Sequence, residues 1–190
     1  MLGSSLVEAL RRGVEAFQEL GIEYALVGGV AATVRGRLRS TRDCDVLVVA
    51  SRQDLSALKA ELRERGFSHL DRADRHVIED VVLYRFWFPV EESGFSLSLD
   101  VQAGGSDYHR EVVLRATAET FGAVELQVAS REDLILLKLL AWRPIDRADA
   151  IDLAALGSPS LDHRYLHKRA EQLGIVHRLE ELLREGQGEI

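Results

Sequence analysis

The sequence holds one cysteine, three prolines and one methionine among 190 residues, and no apolar run approaches the length of a membrane span. A lone cysteine excludes an intramolecular disulfide framework and fits a reducing, cytoplasmic setting. A spanning helix needs about 20 consecutive apolar residues, so the sequence points to no membrane role. Met1-Leu2-Gly3-Ser4-Ser5 passes directly into an amphipathic pattern rather than a signal peptide. A basic excess is missing too: 24 Lys and Arg stand against 31 Asp and Glu, and the net charge is −7. Neither the stretch before Ser130 nor the one after it is basic, which argues against a broad nucleic-acid-wrapping surface but leaves room for a local basic pocket. No Ser-His-Asp or Cys-His pattern stands out, and Gly28-Gly29 extends into neither a P-loop nor a dinucleotide fingerprint. What remains is an ordinary globular balance, 46% hydrophobic and 29% charged, in a chain long enough for one core with a small helical addition.

The elements follow from periodicity and punctuation. Ser5-x-x-Glu8 reads as a capping box for a helix with Leu6, Leu10, Val14, Phe17 and Leu20 on one face, ended by Gly21. Tyr24 to Val27 reads as a buried strand, followed by the glycines and a short helix around Val30 to Arg35. A second strand starts at Asp43 or Cys44, and Ser51-x-x-Asp54 opens a helix ended by Gly66. This alternation predicts a mixed α/β sheet. Val81 to Phe88 is a strand stopping at Pro89, with Glu91 to Gly94 as a hairpin turn. Phe95 to Gln102 alternates apolar and polar residues and places Asp100 on the polar face. A short helix at Asp107 to Arg115 and an edge strand at Val124 to Ala129 follow. Ser130 then caps a strongly apolar helix closed by Pro144, and helices continue from about Asp146 to about Arg184.

Asp43 and Asp45 stand at the mouth of the apolar run Val46 to Val49. A strand repeats its side chains every two residues, so both carboxylates project from one face and Cys44 from the other, as a small buried hydrophobe. Adjacent acids repel each other unless a cation lies between them. Oxygen-only ligation suits Mg²⁺ or Mn²⁺ better than zinc. The bland reading is a solvated Asp-x-Asp pair in an acidic chain; position at the entrance of a central strand weighs against it. Gly28-Gly29, between strand and helix, lets backbone approach an anionic ligand closely, although a Gly-Gly alone is a tight turn. Arg35, Arg37, Arg39 and Arg42 crowd the connection between glycines and acids. One or two suit phosphate, which ones being open, and the rest are solvated. Thr41 either donates a hydroxyl to substrate or starts the strand. Asp100 is the natural third acid of a two-metal phosphoryl or nucleotidyl transfer site, the one that binds one ion and draws the proton from the attacking hydroxyl, with Asp80 and Asp107 as competitors.

Lys138 is the only charge between Leu134 and Trp142 on a helix apolar nearly all round. It must snorkel, pair with an acid such as Asp146, Asp149 or Asp152, or hold a ligand phosphate. His163 and His167 have metal-ligand spacing, but Arg164, Lys168 and Arg169 around them favour a solvated basic face, one that would meet an acidic partner or RNA.

Gly28-Gly29, the Arg39-x-Thr41-x-Asp43-x-Asp45 stretch and the later acid Asp100 resemble the minimal nucleotidyltransferases of the DNA polymerase beta superfamily. Asp133-Leu134-x-x-x-Lys138 followed by Asp149-x-x-Asp152-Leu153 is similar to the AbiEii-type branch, which includes toxins of type IV toxin–antitoxin systems. The resemblance covers roughly residues 20 to 155. It implies a nucleotidyltransferase fold, a mixed sheet flanked by helices over residues 1–129 with a helical region, 130–190, packed on that core. It implies Mg²⁺- or Mn²⁺-dependent transfer of a nucleoside monophosphate from a nucleoside triphosphate, such as ATP, to a hydroxyl of tRNA or protein, with a cognate antitoxin as partner. Asp43, Asp45 and Asp100 would bind the metal. Gly28 and Gly29, with Arg39 and Thr41, would hold the nucleotide; Lys138 would contact the triphosphate and Asp149 would act near the acceptor. Two departures stand out: the family's turn is often Gly-Ser, and Gly29 lacks that hydroxyl, while the chain is short for the branch. A small-molecule resistance transferase of the aminoglycoside or lincosamide kind is the rival enzyme, and a catalytically silent, antitoxin-like binding module is the rival outside enzymes.

Overall fold

The computed structural model describes residues 2–37, 43–70, 74–78, 81–90, 94–157 and 160–185. The chain divides into two compact units, one of Met1–Val30 with Ser40–Ala129, the other of Ala31–Arg39 with Ser130–Ile190.

In the first unit, Leu6, Leu10, Val14 and Phe17 recur at helical spacing, and α1 (Leu2–Glu19) buries them. The helix begins ahead of Ser5, which therefore lies inside it rather than capping it. No proline stands between Leu2 and Ser5 to stop the ladder, so the backbone winds one turn past the pattern that suggested a cap. Gly21, at φ +62, ends it. β1 (Tyr24–Val27) is buried throughout, α2 (Gly28–Val34) starts at the first glycine, and β2 (Asp43–Val48) starts at the first acid. α3 (Arg52–Glu64) has the capping box written in its sequence. The Asp54 amide donates to Ser51 Oγ at 3.2 Å, and the Ser51 amide donates back to Asp54 Oδ2 at 2.8 Å.

β3 (Arg75–Ile78), β4 (Val81–Pro89), β5 (Ser96–Gly104), α4 (Asp107–Leu114), β6 (Thr117–Phe121) and β7 (Val124–Val128) complete this unit. They form one seven-stranded mixed sheet in the order β3-β4-β5-β2-β1-β7-β6. Two strands were not legible beforehand, β3 and β6. Both are short, with largely exposed side chains, so neither carries an apolar run. β6 corrects the place of β7: the segment read as an edge strand lies between β1 and β6, and β6 is the edge. The turn at residues 91–93 lies outside the described residues.

Both sheet faces are covered. Gly13 of α1 leaves room for Leu99, whose Cδ2 would sit 3.2 Å from a Cβ placed there, so α1 lies on the face that Leu99 shares with its partner Cys44. On the opposite face, Gly104 stands where His109 of α4 would meet any side chain. Ser98 and Asp100, expected on a polar face, are 2% and 4% exposed, with Asp100 against Arg85 and Ser98 against Asp43.

The second unit is helical: α5 (Arg131–Ala141), α6 (Pro144–Ala155), α7 (His163–Gln172) and α8 (Val176–Glu185). Ser130 caps α5, and Trp142, in left-handed backbone at φ +51, terminates it. Pro144 is the first residue of α6, where its missing N–H costs nothing, so that helix begins two residues before Asp146. No helix among the described residues is long and apolar enough to cross a membrane. Ser51→Ala removes one half of a reciprocal cap and should destabilise the first unit by about 1 kcal/mol, read as a lower urea midpoint.

Candidate active site

The pairing of three strands builds a small lattice of polar side chains on one sheet face. β2 runs parallel to β5 with Asp45 opposite Asp100 and Asp43 opposite Ser98. β4 runs antiparallel to β5 with Arg85 opposite Asp100 and Trp87 opposite Ser98. One row therefore reads Arg85, Asp100, Asp45 and the next reads Trp87, Ser98, Asp43, because directly paired residues share a face. Ser98 donates its hydroxyl to Asp43 Oδ1 at 2.9 Å. Arg85 grips Asp100 with two parallel hydrogen bonds, Nε to Oδ1 at 2.7 Å and Nη2 to Oδ2 at 2.5 Å.

Gly28 closes the lattice at its far side. β1 pairs with β2 so that Val27 is opposite Asp45, and the chain turns at Gly28 with φ +68. A Cβ on Gly28 would lie 2.0 Å from Asp45 Oδ2. No side chain fits there, and only glycine takes this backbone readily. The glycine turn and the acids thus meet at one end of the sheet.

The electrostatics agree with this proximity. The Arg85 guanidinium is held more firmly charged than usual, first by its hydrogen bonds to Asp100, then by the charges of Asp100, Asp43 and Asp45. Cys44, buried on the opposite face, has its thiol pushed well up, first by burial and then by Asp45, Asp43 and Asp100, so it stays neutral. A cation beside this face feels all three aspartates. Among the described residues, no three His, Cys, Asp or Glu side chains gather closely enough to hold an ion, and Asp100 has its oxygens on Arg85. Asp43 and Asp45 supply hard carboxylate oxygens of the kind that Mg²⁺ or Mn²⁺ takes, beside a backbone stripped of its side chain. Those two residues fit a divalent ion. Asp107, a competitor for the third position, is instead exposed at the start of α4. Arg39, Thr41, Arg42 and Asp80 lie outside the described residues.

Lys138 and Asp149 belong to the helical unit, in a buried ionic cluster. Lys138 Nζ lies 2.8 Å from Asp146 Oδ1 and 2.9 Å from Asp149 Oδ2. Arg37 bridges Asp149 at 2.9 Å and Asp152 at 2.8 Å. Of the outcomes open to Lys138, acid pairing is the one observed. Burial alone would push the Asp146 carboxyl up, but hydrogen bonds from Arg143 and Lys138, with their charges, hold it below its ordinary value. His163 and His167 stand exposed on α7 beside Arg164 and Lys168.

The sequence matches the model of the family described as nucleotidyl transferase AbiEii toxin, type IV toxin–antitoxin system, over residues 9–188. The chain belongs to the AbiEii family. It is thereby a nucleotidyltransferase. Solved structures place it on the same fold. The antibiotic-resistance factor ANT(2'')-Ia is 14% identical, with a TM-score of 0.59 over 95% of this chain and 100% of that one. The lincosamide antibiotic adenylyltransferase LnuA, lincomycin-bound, is 18% identical, with a TM-score of 0.50 over 76% and 94%. An antigenic nucleotidyltransferase-like protein from Paracoccidioides brasiliensis is also 18% identical, at 0.50 over 96% and 93%. No curated protein sequence matches the chain.

Within this AbiEii chain, sequence reasoning passed over Arg85, Ser98 and the bridging role of Arg37. Arg85 had a signal: it is the one charge in Val81 to Phe88. A charge inside an apolar strand requires a partner on the neighbouring strand, and Asp100 is that partner.

Gly28→Ala should cost about 1–2 kcal/mol from the left-handed backbone alone and also displace Asp45. Denaturant unfolding reads the first effect, and nucleotidyl transfer falling at least about tenfold reads the second. Asp146→Asn should destabilise the protein by about 3 kcal/mol at neutral pH, since it strips a buried Lys138 of one partner. The native carboxyl titrates below its ordinary 3.8, so its contribution is present above that pH and is lost as pH falls through the depressed native value. Melting curves of the two proteins should therefore converge in acid.

Proposed function

We propose that this AbiEii nucleotidyltransferase moves a nucleoside monophosphate from a nucleoside triphosphate to a hydroxyl of tRNA or of a protein, with Asp43 and Asp45 holding Mg²⁺ or Mn²⁺. The observation that carries the reading is the contact of the side-chain-free Gly28 turn with Asp45, which sets an anion-accessible backbone beside two hard oxygen ligands. A triphosphate carrying a divalent ion needs both parts. The bound ion supplies neutralisation of phosphate charge as the reaction proceeds.

The acceptor oxygen forms a bond to the α-phosphorus, the bond from that phosphorus to the pyrophosphate oxygen breaks, and the acceptor proton passes to solvent. Gly28 and Gly29 bring backbone to the phosphates, with Arg39 and Thr41 following from the family's pattern. Asp43 and Asp45 orient the charged end of the donor. Ser98 fixes the direction of the Asp43 carboxylate, and Asp100, the third acid of the metal site by the family's pattern, lies against Arg85. By the same pattern Lys138 meets the triphosphate and Asp149 acts near the acceptor. Both are held in place by their shared ion pair. Membership of a family described as type IV toxin–antitoxin supports a cognate antitoxin as partner. A net charge of −7 keeps a second acceptor class in play, a small molecule of the aminoglycoside or lincosamide kind.

Asp43→Asn and Asp45→Asn should each lower transfer on the order of 10²–10³ while leaving far-UV dichroism intact. The assay incubates the protein with each labelled nucleoside triphosphate and Mg²⁺, in parallel with total tRNA, with protein and with the antibiotics. Label in the tRNA or protein arm supports the reading, and label only in an antibiotic arm replaces it with the small-molecule one. Calorimetry showing no metal-dependent triphosphate binding would leave a silent binding module.

A further inference from the structure

We infer that Trp87, with Arg85 beside it, forms the acceptor side of the site and stacks the terminal nucleoside of an RNA acceptor. The inference rests on the function proposed above and deepens it by giving the acceptor a side of the sheet and a residue to meet.

The order of the strands carries it. Across the sheet face, β4, β5, β2 and the end of β1 present in turn Trp87 and Arg85, then Ser98 and Asp100, then Asp43 and Asp45, then the Gly28 turn. That turn lies against Asp45 from the β1 side, so phosphates drawn to its backbone lie on that side of the two acids. Transfer at phosphorus places the attacking and leaving oxygens in line, on opposite sides of the reacting atom. With pyrophosphate leaving toward Gly28, the acceptor hydroxyl enters from the other direction, over β5 and β4.

What stands there is flat and partly uncovered. Phe86 and Phe88, on the other face of β4, are 1% and 8% exposed, whereas Trp87 and Arg85 are only half-buried on the site face. The indole is held in place. Its N–H donates to Asp74 Oδ2 at 3.2 Å, and the Trp87 backbone exchanges two hydrogen bonds with that of Ser68, at 2.8 and 2.9 Å. The Arg85 guanidinium lies 5.5 Å from the centre of the ring and is itself forked onto Asp100. A fixed indole beside a guanidinium is a surface on which an unpaired base stacks. Trp87 is two strand steps from Asp43, about 10 Å, a span that a ribose and its base bridge when the ribose hydroxyl is at the phosphorus. An aminoglycoside has no aromatic ring and gains nothing from the indole.

The test uses the full chain with labelled nucleoside triphosphate, Mg²⁺ and total tRNA, donor and acceptor being varied separately. Trp87→Leu should raise the tRNA KM about tenfold and leave the triphosphate KM within about twofold, while Trp87→Phe, which keeps a ring, should stay close to wild type. Structural damage alone would weaken both substrates together. A tRNA KM unchanged by Trp87→Leu, or a triphosphate KM that rises with it, overturns the inference. Should Trp87→Leu fail to fold by dichroism, Trp142→Phe leaves Trp87 as the one indole of the chain. Saturating tRNA should then quench its fluorescence without turnover, and unchanged emission overturns the inference in the same way. Label carried only by the protein arm leaves the underlying reading standing and overturns this inference; a wild type that labels neither tRNA nor protein ends both.

Discussion

Everything at the acidic face depends on how a sheet interior tolerates carboxylates. Three aspartates lie within two strand-pair steps of one another, and one of them is almost wholly removed from water. Buried charge without a partner is among the most destabilising features a fold can contain. The sheet meets this by register: β4 brings a guanidinium opposite Asp100, β5 brings a hydroxyl opposite Asp43, and β1 ends in a glycine where Asp45 needs space. A slip of one residue in any of these pairings would turn the partner to the other face. Strand register and site chemistry are therefore one constraint.

The helical unit meets the same difficulty in another way. α5 is apolar nearly all round, yet contains Lys138, and α6 carries two almost fully buried aspartates. Lys138, Arg37 and Arg143 against Asp146, Asp149 and Asp152 form a mesh in which Asp146 and Asp149 each meet two cations. Such a mesh is a weak source of net stability compared with an apolar core, but it is very sensitive to removal of one member.

The parts that were readable in the sequence share a feature: each announces itself within a few residues. The Ser51 box, the glycines, the spacing of Asp43 and Asp45, and the apolar stripe of α1 are local patterns with a local cause. The parts that were not readable depend on pairing at a distance. β6 is polar and mostly exposed, and it becomes a strand because β7 offers it a hydrogen-bonding edge. Ser5 had the pattern of a cap, but the helix ran past it. Arg85 had a visible oddity, a charge among aromatics, but its meaning required knowing that β4 and β5 pair with Asp100 opposite.

The route of the chain has its own consequence. α2 begins at Gly28 in the sheet-bearing unit and finishes in the helical one, and the backbone returns to the sheet before leaving again after Ala129. The polypeptide crosses the boundary three times. Arg37, which clamps Asp149 and Asp152, is encoded more than a hundred positions ahead of them, so the helical unit is not a cassette that follows the sheet in the gene. Exchange of the segment after Ala129 for that of another chain would separate a cation from its acids.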